Sequence, residues 1–468
     1  MNAPLREIAD LPGPRGLPLL GNALQIDSER LHQTVEGWRR RYGDLFRFRL
    51  GGRKFLVVAD PEAVASVLRD RPEGFQRTAR MEQAAREMGF GGVFSSNGAA
   101  WRRQRPMVMA GFDPAHIKAY FPTLLKVTGR FAARWRRAAA AGQAFDLQAD
   151  LMRYTVDVTA GLAFGVEINT IDSDEEAIQR HLDKILPALY RRVIAAFPWH
   201  ALPLRRNRAL EGHLRALEEA VASFIAAARA RMAADPSLRT QPRNLIEAMI
   251  AARDTSASGL DDADVSGNVL TMLLAGEDTT ANSLAWMIYL LSRHPEALRR
   301  ARDEVRAALA PDELPSQAQL QALPYLDACI SETMRLKPVA PMIVNQAVRD
   351  SVVAGVRVPK GHLVLCLMRP AADERHFREA TLFQPERWLD AAAAAAGKRV
   401  SMPFGAGPRM CPGRYLALLE MKMVMAMLLN GFEVDGVAVP GGGEAQEELH
   451  LTMMPVGLRL RLSPRRAQ

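Results

Sequence analysis

One short stretch constrains this chain more than any other: the ten residues 404–413, FGAGPRMCPG. It sets a lone cysteine, Cys411, in a turn of glycine and proline directly before a long apolar helical pattern. Glycines let a backbone approach a flat ligand closely, and a helix N-terminus favours a thiolate over a thiol. Arg409 adds a fixed positive charge, and Phe404 adds an apolar wall. A single cysteine is more often a small buried side chain, but five residues at fixed offsets favour a ligand, namely Phe404, Gly407, Arg409, Cys411 and Gly413.

Composition excludes several classes of protein. The three cysteines among 468 residues are too far apart for disulfide staples or a cysteine zinc site, so we expect a reducing compartment. The net charge of +9 is spread along the sequence without a recognition motif, which argues against nucleic-acid binding. Residues 1–22 lack a signal-peptide pattern, and no apolar run reaches the roughly 18 residues of a membrane span. We therefore expect a soluble, cytoplasmic protein.

A second informative stretch is a long helical pattern that begins near residue 258 and runs to His294-Pro295. Asp261 is a credible cap, and about 30 residues of helix span on the order of 45 Å. Its middle reads AGEDTT, residues 275–280. Acids and threonines inside an apolar helix are unfavourable unless they act there or are satisfied, and a threonine hydroxyl can turn toward the carbonyl four residues earlier. The alternatives are a kinked core helix with satisfied polar groups, or a niche for a small ligand beside Gly276.

The remaining segments give a coarse outline. Two strands around Gly51-Gly52 predict a hairpin at 45–58, and Asp60-Pro61 opens a helix. Residues 113–253 are mostly helical by period, and 338–344 are predicted to be an extended apolar strand. We interpret 75–98 as a long mobile connection and 391–397 as a low-complexity loop. The loop around 197–203 fits a membrane contact, a substrate lid or a simple helix corner.

Four motifs in the right order carry a family resemblance. The pattern F-x-x-G-x-R-x-C-x-G matches at 404–413, A-G-x-[DE]-T-[TS] matches at 275–280, W-x-x-x-R begins at Trp101, and E-x-x-R begins at Glu332. With these motifs the chain resembles the cytochrome P450 family of haem-thiolate monooxygenases over about residues 11–462, in a soluble form of bacterial type. The resemblance implies a mainly α fold with a smaller β-rich lobe, and a single haem domain over residues 1–468 without a fused reductase.

The resemblance also implies roles for single residues. Cys411 would be the axial iron ligand, and Trp101 and Arg105 would bind the haem propionates, although alone their pattern also fits a solvated basic helix. Asp278 would be the acid end of a proton relay beside Glu277, and Thr279 the hydroxyl that hydrogen-bonds dioxygen. The other expected cofactor contacts are Phe404, Gly405, Arg409, Gly413 and Ala275.

The E-x-x-R motif implies a structural triad of Glu332, Arg335 and Arg387 behind the cysteine loop. The same spacing occurs at Glu36/Arg39 and Glu296/Arg299, where no later partner singles it out. Many family members carry a propionate-binding arginine where this chain has Asn345 and Gln346. The expected substrate pocket consists of Phe90, Val93, Phe94, Leu274, Val339, Ala340, Met453 and Met454.

The function implied is insertion of one oxygen atom from dioxygen into an apolar small molecule, with haem b as cofactor. The sequence has no Gly-rich dinucleotide fingerprint, so electrons from NAD(P)H are expected through a ferredoxin or flavoprotein. That donor would dock on a basic face of a monomeric enzyme, around Arg102, Arg103, Arg414 and Lys422. Two alternatives stay open: a peroxygenase or isomerase of the same fold, and a non-catalytic haem sensor or carrier.

Overall fold

Helices make up most of the chain, as the sequence predicts. The computed structural model describes residues 5–112, 114–173, 177–195, 205–255, 258–369 and 374–465, so the loop predicted at 197–203 lies outside the described residues. The helices are α1 (Leu31–Tyr42), α2 (Pro61–Arg69), α3 (Ala79–Glu87), α4 (Gly98–Gly111), α5 (Pro114–Ala140), α6 (Leu147–Phe164), α7 (Ala177–Ile194), α8 (Arg205–Ala234), α9 (Leu245–Arg253), α10 (Asp262–Arg293), α11 (Pro295–Ala308), α12 (Gln317–Gln321), α13 (Pro324–Leu336), α14 (Ala391–Val400) and α15 (Arg414–Gly431).

A smaller β region accompanies the helices. Its largest sheet has five strands in the order β2-β3-β9-β6-β4, and the predicted hairpin forms two of them, with Leu45 opposite Val58. The strands are β1 (Arg6–Glu7), β2 (Leu45–Leu50), β3 (Arg53–Val58), β4 (Phe75–Arg77), β5 (Phe145–Asp146), β6 (Met342–Ala347), β7 (Ser351–Val353), β8 (Val356–Val358), β9 (Leu363–Leu367), β10 (Phe432–Ala438), β11 (Glu447–Leu449), β12 (Met453–Pro455) and β13 (Arg459–Pro464).

Helix α10 runs through the protein core. The side chain of Asp261 accepts a hydrogen bond from the Asp264 N–H, and the Asp264 side chain accepts one from the Asp261 N–H. This reciprocal cap satisfies two backbone donors at the start of the helix. The helix ends at Arg293, with His294 as its C-cap before Pro295, and most of its residues are buried. The long helix predicted from the sequence is therefore confirmed.

Two segment predictions were wrong. Residues 75–98, predicted to be a mobile connection, contain β4 and α3; β4 pairs antiparallel with β6, and Thr78 caps α3. Local periodicity missed the strand because its partner lies far along the chain. Residues 391–397, predicted to be a loop, belong to α14, which Asp390 caps. Alanine has the highest helix propensity, and a capped run of it is sufficient here.

Candidate active site

The cysteine loop folds back on its own beginning. The Cys411 N–H donates a hydrogen bond to the carbonyl of Phe404 at 3.0 Å. Gly407 adopts φ +70°, and a Cβ there would lie 2.7 Å from the Cα of Arg69. Only glycine therefore lets the loop rest against the end of α2. Helix α15 begins at Arg414, directly after Gly413, so the cysteine precedes a helix N-terminus as the sequence predicts.

Cys411 has exposed surface, whereas Cys329 and Cys366 are buried. Protein atoms still crowd its sulfur, and this desolvation raises the pKa of the thiol. The Gly413 N–H and the positive charges of Arg105 and Arg414 lower the same pKa. Because the net effect is a raised pKa, the thiolate would gain most from a positive centre bound at the sulfur.

Arg409 has buried nitrogens that lack a hydrogen-bond partner in the described part of the chain, namely Nε and Nη1. Its Nη2 donates to the carbonyl of Ser96 and lies 3.4 Å from Oδ1 of Asn97. Its guanidinium stands over the ring of Trp101, 4.8 Å from the centroid. Buried, unsatisfied donors on a charged group are costly. The side chain is therefore arranged to receive an anion.

Three further arginines, Arg71, Arg77 and Arg105, surround this position. Burial, and then the charges of Arg71 and Arg105, lower the pKa of Arg409 to about 9. Burial, and then the charges of Arg71 and Arg409, lower the pKa of Arg77 to about 9. Burial lowers the pKa of Arg105, whose Nη2 donates to the carbonyl of Met410 at 2.6 Å. A ligand with two negative charges would offset both the desolvation of these guanidinium groups and the repulsion between them.

Arg77 is a site residue that sequence reasoning missed. Strand register places it directly opposite Asn345, and Gln76 opposite Gln346. The Arg77 Nε donates to the carbonyl of Phe94 at 3.0 Å. A positive charge missing from β6 is thus supplied from the neighbouring strand β4. A strand of three residues is too short to show an alternating pattern. The cap residue Thr78 was the only local sequence signal of regular structure here.

The centre of α10 has an accessible face. Ala275 is exposed, and Gly276 and Thr279 are half-buried, in a helix that is otherwise largely buried. The Thr279 hydroxyl donates to the carbonyl of Ala275 at 2.8 Å, the i−4 contact expected from the sequence. A Cβ on Gly276 would lie 2.3 Å from Oγ1 of Thr159, so glycine also lets α6 approach. One threonine hydroxyl therefore stands beside an opening at mid-helix.

The two acids of the motif are buried. Asp278 Oδ1 accepts a hydrogen bond from the Asn282 amide at 2.7 Å, and Oδ2 accepts one from the hydroxyl of Thr452. Burial raises the pKa of Asp278, although both hydrogen bonds and the charge of His450 act against that increase. Asp278 therefore holds a proton more readily than an ordinary aspartate. Glu277 is also buried, and its backbone carbonyl accepts a hydrogen bond from Thr155 at 2.8 Å.

Glu420 on α15 is a second residue that sequence reasoning did not assign. It is buried beside Thr280 of α10. Burial raises its pKa to about 8, and a hydrogen bond from the Thr280 hydroxyl only partly opposes the increase. The available signal was a single glutamate inside the apolar run 415–432.

The predicted triad is brought together. Arg335 Nε and Nη2 each lie 2.8 Å from a carboxylate oxygen of Glu332, and Arg387 Nε lies 3.0 Å from Oε1. The indole N–H of Trp388 adds a hydrogen bond at 2.8 Å. Arg335 also donates to the carbonyl of Ala380 at 2.7 Å, which ties α13 to the following loop.

The predicted pocket residues divide by burial. Phe90, Val93, Leu274 and Met453 are buried, and Phe94, Val339, Ala340 and Met454 are half-buried. The Met453 sulfur lies 3.6 Å from Nη1 of Arg369, and the Phe94 ring lies under the guanidinium of Arg77 at 4.6 Å. Contact with a substrate stays a prediction for all eight.

The residues predicted for donor docking are not equivalent. Arg102 and Arg103 are exposed, and Arg102 pairs with Glu73 at 2.7 Å. Arg414 is half-buried and donates to the Tyr415 hydroxyl at 2.7 Å. Lys422 has only 13% of its side chain exposed and pairs with Asp327, so it offers little charge to a partner.

The site thus combines a cysteine loop, a cluster of largely buried arginines and an accessible face at the middle of a long helix. The family model "Cytochrome P450" matches residues 11–456, and the chain belongs to the cytochrome P450 family as a monooxygenase. Pentalenene oxygenase of Streptomyces avermitilis is 27% identical over 456 residues, 97% of each chain. Thromboxane-A synthase of Rattus norvegicus is 26% identical over 460 residues, 90% of this chain and 86% of that protein. A crystal structure of a cytochrome P450DA mutant heme domain shares the fold, with TM-score 0.84 and 24% identity over 99% of this chain and 98% of that chain.

The family uses haem and dioxygen, and the residues present fit haem. Arg409 offers unpartnered donors within the described residues, and its arginine neighbours suit the two carboxylates of the cofactor. Cys411 is the cysteine whose residue surface is exposed, whereas Cys329 and Cys366 are buried. Among the described helices, none combines the length and apolar character needed to cross a membrane.

Proposed function

We propose that this enzyme hydroxylates or epoxidises an apolar small molecule. The observation that carries the proposal is the opened face of α10, where the half-buried Thr279 hydroxyl directly follows in sequence the buried Asp278, whose carboxyl has a raised pKa. Haem held through Cys411 would supply dioxygen activation, because a thiolate ligand pushes electron density toward the bond to be broken. One substrate molecule, one dioxygen, two electrons and two protons then give one oxygenated product and one water.

The chain's own residues have separate tasks in this proposal. Arg409, Arg105, Arg77 and Trp101 hold and orient the cofactor carboxylates. Thr279 hydrogen-bonds dioxygen, and Asp278 supplies protons from its buried carboxyl. The pocket residues exclude water and position the substrate, with Phe94, Val339, Ala340 and Met454 the more accessible ones.

We further propose a single haem domain that acts as a cytoplasmic monomer and receives electrons from NAD(P)H through a ferredoxin or flavoprotein. The three free cysteines suit a reducing compartment. The exposed charges of Arg102 and Arg103 support a basic docking face. Reduction by an acidic donor should slow steeply as salt is added, and salt-independent kinetics would contradict this face.

The direct test uses isotopically heavy dioxygen. A library of apolar compounds is first titrated for shifts of haem spin state, and a binder is then turned over with a surrogate electron donor. We expect one heavy oxygen atom in the product and one in water. A product that lacks heavy oxygen would contradict the proposal.

A second candidate is an isomerase or peroxygenase, because one relative is named a synthase. Such an enzyme needs no electron donor. Turnover with peroxide or a hydroperoxide alone, and none with any donor, would favour it.

A further inference from the structure

The hairpin of β11 and β12 contacts α10 at the buried carboxylate of Asp278. The hydroxyl of Thr452, in the hairpin loop 450–452, donates to Oδ2 of that carboxylate. The His450 N–H donates to the carbonyl of Thr452 at 2.9 Å and closes the loop. Leu451 between them has φ +83°, a strained left-handed conformation for leucine. The loop thus adopts an unfavourable turn that presents Thr452 to α10.

The outer side of the same loop reaches solvent. Nε2 of His450 lies 2.5 Å from Oε1 of Glu448, and the two side chains are 21% and 30% exposed. The exposed Glu29 brings its carboxylate within 4.8 Å of both. His450 is also close enough for its charge to act on Asp278. Glu29, Glu448 and His450 therefore form a titratable cluster at the surface, beside the loop that presents Thr452 to the buried carboxyl.

The hydrogen-bond partners of Asp278 differ in what they can transfer. The Asn282 amide only donates a hydrogen bond and does not exchange a proton as an acid in this range. The Thr452 hydroxyl is both donor and acceptor, so it can give one proton to Asp278 and take another from its far side. A carboxyl group that delivers protons to the reaction must be protonated again after each transfer.

We propose that this hairpin is the proton entry route of the enzyme, from solvent through His450 and the Thr452 hydroxyl to Asp278. The inference rests on the proposed function, in which Asp278 supplies protons. In each transfer the Thr452 O–H bond breaks as a proton joins Oδ2 of Asp278. The Thr452 oxygen takes up a replacement proton from the side of the loop that carries His450. His450 regains its proton from solvent beside Glu448 and Glu29.

A matched pair of substitutions separates this route from simple anchoring of the hairpin. Thr452→Val keeps the shape and removes the hydroxyl, whereas Thr452→Ser keeps the hydroxyl. With the haem-loaded full chain and a surrogate donor, Thr452→Val should lower product per electron pair about tenfold and increase the solvent isotope effect. Thr452→Ser should stay within about twofold of wild type on both measures. Turnover supported by hydrogen peroxide, which brings its own protons, should be equal in all three proteins.

A second readout does not depend on turnover. The infrared band of the Asp278 carboxyl, assigned by its loss in Asp278→Asn, shifts as its proton exchanges with deuterium oxide. Exchange should be about tenfold slower in Thr452→Val and in His450→Gln than in wild type and Thr452→Ser. Equally fast exchange in Thr452→Val, or an equal loss of peroxide-supported turnover, would overturn the route. The proposed function would still stand if heavy dioxygen labels the product in every variant.

Discussion

Replacing Glu332 with glutamine removes the charge of a carboxylate that is fully buried together with Arg335. The carboxylate accepts hydrogen bonds from Nε and Nη2 of Arg335 at 2.8 Å and from Nε of Arg387 at 3.0 Å. It also accepts one from the Trp388 indole at 2.8 Å and one from the Gln384 N–H at 3.0 Å. Glutamine has one acceptor oxygen where glutamate has two, so its NH₂ group would face a donor. The variant therefore leaves buried positive charge without its partner.

The expected cost follows from that geometry. Breaking a buried ion pair by removing one partner costs about 3–5 kcal/mol, against a total stability of about 5–15 kcal/mol. We expect Glu332→Gln to lose about 4 kcal/mol of the free energy of unfolding. Glu296 and Arg299 provide a matched control, with the same spacing but 85% and 58% exposure. Glu296→Gln should cost about 0.5 kcal/mol or less.

Both variants are compared with wild type by urea unfolding of the haem-loaded protein, followed by circular dichroism. Burial alone would raise the pKa of Glu332, but hydrogen bonds from Arg335 and its charge lower it below 4.5. Because the folded pKa is lowered, the difference between wild type and Glu332→Gln should be complete above pH 4.5 and decrease as pH falls through the folded pKa. Equal effects at Glu332 and Glu296 would refute the reasoning.

Three further outcomes are expected. Arg409→Gln should increase the rate of haem transfer to a scavenging apoprotein about tenfold, because charged hydrogen bonds contribute about 1.5–3 kcal/mol. The control Arg102→Gln, at an exposed arginine, should transfer haem at the wild-type rate. Gly407→Ala should lower the haem-loaded fraction, since φ +70° and a contact of 2.7 Å oppose any Cβ; unchanged loading would contradict the close approach. Burial raises the folded pKa of Glu420 to about 8, so folding takes up a proton above pH 4.5. Wild-type stability should therefore decrease as the pH rises from 4.5 to 8. Glu420→Gln should therefore gain stability over wild type at pH 8 but not at pH 4.5, as measured by urea midpoints at each pH.

The sequence predicted the parts of the site that are local. The cysteine loop, the Thr279 contact to Ala275 and the Asp261 cap depend on residues a few positions apart, so their spacing contains the geometry. The Glu332 triad was also predicted, but only because a family pattern linked α13 to a loop some 50 residues later (332 to 387). The family resemblance therefore identified the Arg387 partner, which the E-x-x-R spacing alone did not indicate.

The missed features join distant parts of the chain. Arg77 reaches the arginine cluster because β4 pairs with β6, and Thr452 reaches Asp278 because a C-terminal hairpin packs on α10. No local period encodes either contact. Lys422 also depends on tertiary packing: only 13% of its side chain is exposed, and it pairs with the half-exposed Asp327. Such outcomes depend on tertiary packing, which overrides local pattern.

The absorption spectrum of the reduced, CO-bound protein tests the central claim most directly. Thiolate ligation by Cys411 predicts the strongly red-shifted Soret band that distinguishes cysteine-ligated haem from histidine-ligated haem. Cys411→His should retain haem and lose that shift. A wild-type spectrum of the histidine- or water-ligated kind, in protein fully loaded with haem, would contradict the account.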